Sequence, residues 1–153
     1  MFKLASFKKM SFSMLLTFTL VLILAIPAHA ASYAVQFLNS SGAPSTHSSK
    51  YIEGGVVDVT GTAGNYTVTF KMKNSDPSFP LIPISYNHLK VDLNGTPAGD
   101  GVYEVNSTKS VSGGFTYFTF SGVSNVTDNL PVLLHVNAGG FHSKEYALFV
   151  DWK

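Results

Sequence analysis

Between Asn65 and Lys73 apolar and polar side chains alternate without a break. Tyr66, Val68, Phe70 and Met72 fall on one side, and Thr67, Thr69, Lys71 and Lys73 on the other. A period of two marks a strand with one buried and one wetted face, as in an antiparallel sheet. Further strand-like segments are Tyr33–Leu38, Gly55–Val59, His88–Leu93, Gly101–Asn106, Phe115–Ser121, Pro131–Asn137 and Lys144–Trp152. Turn chemistry separates them: Gly42-Ala43-Pro44, Gly61 to Gly64, Asp76-Pro77, Asn94-Gly95, Gly99-Asp100-Gly101, Gly113-Gly114 and Gly139-Gly140. Asn-Gly suits a tight hairpin because both residues tolerate positive φ. No segment keeps a helical period and no stretch repeats. The pattern predicts an all-β domain, a sandwich or barrel of about eight short antiparallel strands.

Two stretches break the rhythm. Ala43 to Lys50 is polar and fits one helical turn, and Asp76 to Pro83, with three prolines, is a loop. Loops carried on a rigid sheet hold function more often than the sheet itself, so a ligand lip is expected there.

The start of the chain follows a different logic. Lys3, Lys8 and Lys9 precede an apolar run from Met14 to Ile26, interrupted only by Thr17 and Thr19. Pro27 ends the run, and Ala28-His29-Ala30 offers the small-x-small pattern of a signal peptidase site. The run falls short of the roughly 20 apolar residues that cross a bilayer. Residues 1–30 therefore read as a removable signal peptide, with a retained membrane anchor as the alternative, and residues 31–153 as one domain. No cysteine follows the run to take a lipid, and Asp151-Trp152-Lys153 is not an apolar tail. The expected location is secreted or associated with the cell envelope, with no membrane span after cleavage.

Composition narrows the function. The full chain has ten basic residues, all lysine, against nine acidic ones. The three lysines before Met14 leave with the signal, so the remainder carries a net charge of −2. An arginine-free, slightly acidic domain lacks the basic patch that binds nucleic acid. The absence of cysteine means that this exported domain stands on hydrophobic burial without disulfide staples.

Enzyme signatures are missing. The chain contains no G-x-S-x-G, no H-E-x-x-H, no phosphate-binding glycine loop and no cysteine nucleophile, and its carboxylates are scattered. Asp92-Leu93-Asn94-Gly95 resembles the opening of a calcium loop but lacks the later ligands, and reads as a hairpin turn. His88 and His135 lie in strand segments and read as surface or half-buried residues; His47 sits in the polar turn. His142 follows Gly139-Gly140-Phe141 and precedes Tyr146 by four positions.

Taken in order, residues 31–153 resemble the NEAT (near-iron transporter) domain of Gram-positive surface and secreted haem-uptake proteins. Tyr33-Ala34-Val35-Gln36-Phe37 is similar to the family's first strand. Thr46-His47-Ser48-Ser49-Lys50-Tyr51 resembles its short helical lip, and Ile52-Glu53-Gly54-Gly55-Val56 the lead into its next strand. Asn65–Ser75 resembles the long central strand, and His88–Gly95 the one after it. Val132–Val136, the glycine turn and Tyr146–Asp151 resemble the closing hairpin.

The resemblance implies an immunoglobulin-like antiparallel β-sandwich that holds haem between the closing hairpin and the lip helix, as a non-catalytic carrier for iron acquisition. Haem-binding members carry Y-x-x-x-Y on the last strand. The first tyrosine ligates ferric iron, and the second hydrogen-bonds to it and packs on the porphyrin. Here His142 stands at the first position and Tyr146 at the second. Imidazole is itself a common haem ligand, so His142 is the metal candidate. By the same resemblance Thr46 would bond a propionate, His47 would face the distal side, and Tyr51 would form pocket wall. Lys50 screens a propionate or is simply solvated. Phe79, Leu81 and Ile82 line the opposite lip or cap the core under the proline-rich loop.

Positions four apart on a straight strand lie about 13 Å apart, so contact between His142 and Tyr146 is expected to need a bend, for which Gly139-Gly140 is placed. A one-residue slip would instead put Phe141 in the ligand position. The expected partners are haem and other haem-transfer proteins. Haemoglobin is not expected, because Thr46 to Lys50 has no aromatic residue. The competing reading is a protein-binding envelope module on the same fold that takes no haem.

Overall fold

The computed structural model describes residues 30–76 and 78–153. The proposed signal peptide falls outside the described residues except for Ala30. Among the described residues no helix is long and apolar enough to cross a membrane. The fold is all-β: β1 (Ala31–Leu38), a one-turn helix α1 (Thr46–Ser49), β2 (Ile52–Thr62), β3 (Asn65–Lys73), β4 (Ile84–Val91), β5 (Val105–Asn106), β6 (Thr108–Ser112), β7 (Phe115–Val123), β8 (Leu130–Ala138) and β9 (His142–Trp152). All the pairings are antiparallel, in the order β5-β4-β8-β9-β1-β2-β3-β7-β6.

β1 belongs to both layers. Ala31 to Ala34 pair with β2, and Val35 to Leu38 pair with β9. Where β1 leaves β2, the α1 turn takes over its free edge. Ser45 N–H donates to the Phe37 carbonyl at 2.7 Å, and Phe37 N–H donates to Ser49 Oγ at 2.9 Å. The two layers fold over one another as an immunoglobulin-like sandwich, nearly closed into a barrel by the shared strand.

The core is what the alternation predicts. Val68, Phe70 and Met72 of β3 are buried, together with Phe37, Tyr86, Phe118, Val132 and Val150. Phe37 stacks on Phe70 at 5.8 Å between centroids, and Tyr86 meets Phe118 edge-on at 6.1 Å. The Tyr86 hydroxyl donates to the Lys73 carbonyl at 2.7 Å, so its polar end is satisfied.

Several boundaries differ from the sequence reading. Among the described residues there are nine strands rather than eight, because β6 pairs with β7 although every one of its residues is exposed. An edge strand wetted on both faces leaves no period in the sequence. The segment at Gly101–Asn106 shrinks to Val105–Asn106. Asn94-Gly95 does not turn a hairpin: it lies in the long connection from β4 to β5, organised by Asp92. That fully buried carboxylate accepts hydrogen bonds from Gly95 N–H at 2.6 Å and from Asp100 N–H at 3.0 Å.

Candidate functional site

The closing hairpin is built on a tight turn. Gly139 and Gly140 have φ of 58° and 75°, and Phe141 N–H donates to the Ala138 carbonyl at 3.1 Å. Positive φ at both central residues is what a type I′ turn requires, and glycine supplies it without strain. The turn sets the register of everything behind it: Ala138 faces His142, Val136 faces Lys144, and Leu134 faces Tyr146.

The inward faces of these strands run past the end of the core and form a groove with α1. His47, Ser48 and Tyr51 make one wall, and His142 and Tyr146 line it from β9. Ile84, Leu134, Val136 and Ala138 complete it as an apolar surface. Its enclosed space is about 50 Å³, and the rest opens to solvent. The lining is mostly apolar with a few placed polar groups, as in small-molecule clefts.

His142 Nε2 and Tyr146 Oη lie 2.7 Å apart, a hydrogen bond between side chains four positions apart on one strand. No bulge interrupts the hairpin, since the β8–β9 register runs unbroken from Ala138 to Leu130. The two side chains instead lean toward each other along the strand axis, a direction that strand side chains readily take. The bond engages Nε2, so Nδ1 is the ring nitrogen open to a metal. Phe141 does not take this position: it is 99% exposed at the tip of the turn.

Across the groove, Tyr51 is held by a buried polar cluster. Its hydroxyl donates to Asp76 Oδ2 at 2.7 Å, Lys50 Nζ donates to the same oxygen at 2.9 Å, and Ser78 N–H donates to Oδ1 at 2.7 Å. Hydrogen bonds from Lys50 and then Tyr51 hold the Asp76 carboxyl well below the usual carboxylate range. Burial, reinforced by the bond to Asp76, pushes the Tyr51 phenol well above its ordinary value. Tyr51 is therefore a neutral wall residue whose hydroxyl is committed to Asp76. His47 meets it edge-on at 6.2 Å.

The groove thus brings together His47, Tyr51, His142 and Tyr146 from the sequence expectations. Thr46 opens α1 on the solvent side and does not line the groove, and neither does Phe79, which is exposed beside Leu81 and Ile82. Lys50 is neither free nor directed at the groove; it is bound to Asp76. Sequence reasoning missed Ser48 and the apolar Ile84, Leu134, Val136 and Ala138. Counting back through the glycine turn would have found the last three, because the turn fixes their pairing with His142, Lys144 and Tyr146.

No family model matches this chain, and no curated protein matches it. Among solved structures it is similar to the NEAT5 domain of IsdX2, a B. anthracis haemophore in complex with haem. The TM-score is 0.61 at 11% identity, over 82% of this chain and 96% of that one. At that identity the likeness shows the fold, which is NEAT-like.

Proposed function

We propose that this protein is a secreted or envelope-associated haem-binding carrier, and that the groove between α1 and the β8–β9 hairpin would hold the haem. The observation that carries the reading is the His142–Tyr146 hydrogen bond on the wall of an apolar groove. The residues fit the group: an apolar surface for the porphyrin, a nitrogen donor on one side and His47 on the other. His142 supplies the iron ligand. Tyr146 fixes the ring orientation, as hydrogen-bonded partners of metal-bound histidines do, and packs on the porphyrin face. His47, Ser48 and Tyr51 form the opposing wall. The solved structure of similar fold holds haem, which supports the same assignment.

Haemin titrated into the purified domain tests this. The expected result is a saturable Soret shift at one haemin per chain, lost or displaced in His142→Ala. A spectrum that stays that of free haemin at equal stoichiometry overturns the proposal.

One observation favours a protein-binding role for the same end of the molecule. Phe141 and Leu81 are almost wholly exposed, Phe79 is 63% exposed, and both Ile82 and Phe141 lie close to Gly139. Single exposed apolar residues are ordinary, but a cluster beside a groove marks a contact surface. Haemin binding unaccompanied by any change when these residues become serine would assign the groove and the rim to separate tasks.

A further inference from the structure

The outer face of the β4–β8–β9 layer, directly behind the groove, carries a second constellation. His88 on β4 and His135 on β8 have ring centroids 5.4 Å apart, with their planes tilted by 49°. Glu145 on β9 is the cross-strand partner of His135, and its Oε1 lies 2.8 Å from His88 Nε2. His88 reaches this position through an irregularity in the ladder. Between the Tyr86–Val136 and Leu89–Leu134 pairs, Asn87 and His88 together oppose the single His135. A one-residue bulge of this kind re-aims a side chain, and such bulges cluster at functional sites.

The two imidazoles are not satisfied by the protein. His88 Nε2 and His135 Nδ1 are buried side-chain nitrogens without a hydrogen-bond partner, the only such atoms among the described residues. Glu145 Oε1, 2.8 Å from His88 Nε2, forms an ion pair with it only when that ring is protonated. The other nitrogen of His135 lies 3.4 Å from Ser143 Oγ, a marginal bond. Buried unpaired polar atoms in native proteins call for a water or an ion.

We propose that His88, His135 and Glu145 form a binding site for a divalent transition-metal ion of the Zn²⁺, Ni²⁺ or Cu²⁺ class. The donor set selects the class: imidazole suits these ions, whereas Mg²⁺ and Ca²⁺ require oxygen ligands. With metal–nitrogen bonds of about 2.0–2.1 Å and tetrahedral angles, two rings on one ion stand with centroids roughly 5 Å apart. The observed ring separation is close to that spacing, and as the side chains stand the three donor atoms do not yet converge on one point. Closing the site needs ring rotation and a swing of the Glu145 carboxylate, whose side chain is 47% exposed. Water completes the coordination. The site is independent of the groove reading, although Leu134, Val136 and Tyr146, the chain neighbours of its ligands, line the groove on the opposite face.

The test uses the domain from Ala31 onward carrying His47→Ala and His142→Ala, so that His88 and His135 are its only histidines. Zn²⁺ and Ni²⁺ are titrated calorimetrically, and one equivalent of Cu²⁺ is examined by electron paramagnetic resonance. The expected result is one ion per chain, with Cu²⁺ coupled to two imidazole nitrogens. Adding His88→Gln or His135→Gln weakens binding at least tenfold, and Glu145→Gln, at an exposed position that folding tolerates, weakens Zn²⁺ binding less. No saturable binding, or affinity and nitrogen coupling that survive loss of either histidine in a folded variant, overturns the proposal.

Discussion

His142 Nε2 and Tyr146 Oη are joined at 2.7 Å along a regular strand, although their backbones stand four residues apart. No bulge interrupts the strand between them, so replacing either side chain is expected to leave the hairpin's register in place. Tyr146→Phe keeps the ring and removes the bond. Partners that orient a metal-bound histidine are worth about 10–100-fold in affinity, and a loss in that range is expected for haemin. Haemin titration with an unchanged far-ultraviolet dichroism spectrum checks it. Wild-type affinity in Tyr146→Phe would remove the tyrosine from the site.

The Asp76 cluster predicts a pH dependence of stability. A carboxyl whose folded pKa lies below its unfolded value of about 4 stabilises the fold above that pH, and this contribution disappears as the pH falls toward the depressed value. The causes here are the hydrogen bonds from Lys50 and Tyr51. Asp76→Asn is expected to be less stable than wild type at pH 7 and to show a flatter decline below pH about 4. Denaturant melts across that range measure it, and parallel curves for the two proteins would contradict it.

Asp92 and Gly95 are expected to be as sensitive as core residues despite lying in a loop. A side chain at Gly95 would collide with the Asp92 carboxylate and the Asp100 amide. Removing the Asp92 carboxylate leaves two backbone donors without their acceptor. Gly95→Ala and Asp92→Ala should each cost about 1–3 kcal/mol in urea unfolding. Asp100→Ala, which keeps the amide that Asp92 binds, should cost far less.

Within the sandwich, Phe70 touches both Phe37 and Phe120 and is fully buried. Phe70→Ala is expected to lose about 3–5 kcal/mol, close to the whole stability of many small domains. A variant that unfolds at nearly the wild-type denaturant concentration would show that the aromatic stack is not central.

The strands that pack on one face were legible because burial imposes its period on them: β3, β7 and the inner half of β8 announce themselves. β6 did not, because an exposed edge strand places no demand on its side chains. The site was half legible. His47, Tyr51, His142 and Tyr146 were found through their order along the chain, and the structure brings them to one groove. Ser48 and not Thr46 lines the groove, because a single helical turn rotates successive side chains by about 100° and nothing in T-H-S-S fixes its phase. The tie between Tyr51 and Asp76 spans a proline-rich loop, whose path no local pattern describes.

The shared strand β1 accompanies β9 only from Phe149 to Trp152. From His142 to Leu148, β9 is bonded to β8 on one side and to no strand on the other. The hairpin that lines the groove is thus a cantilever, anchored at its root and unsupported along one margin. Amide exchange near the tip should therefore be fast even where the root exchanges only on complete unfolding.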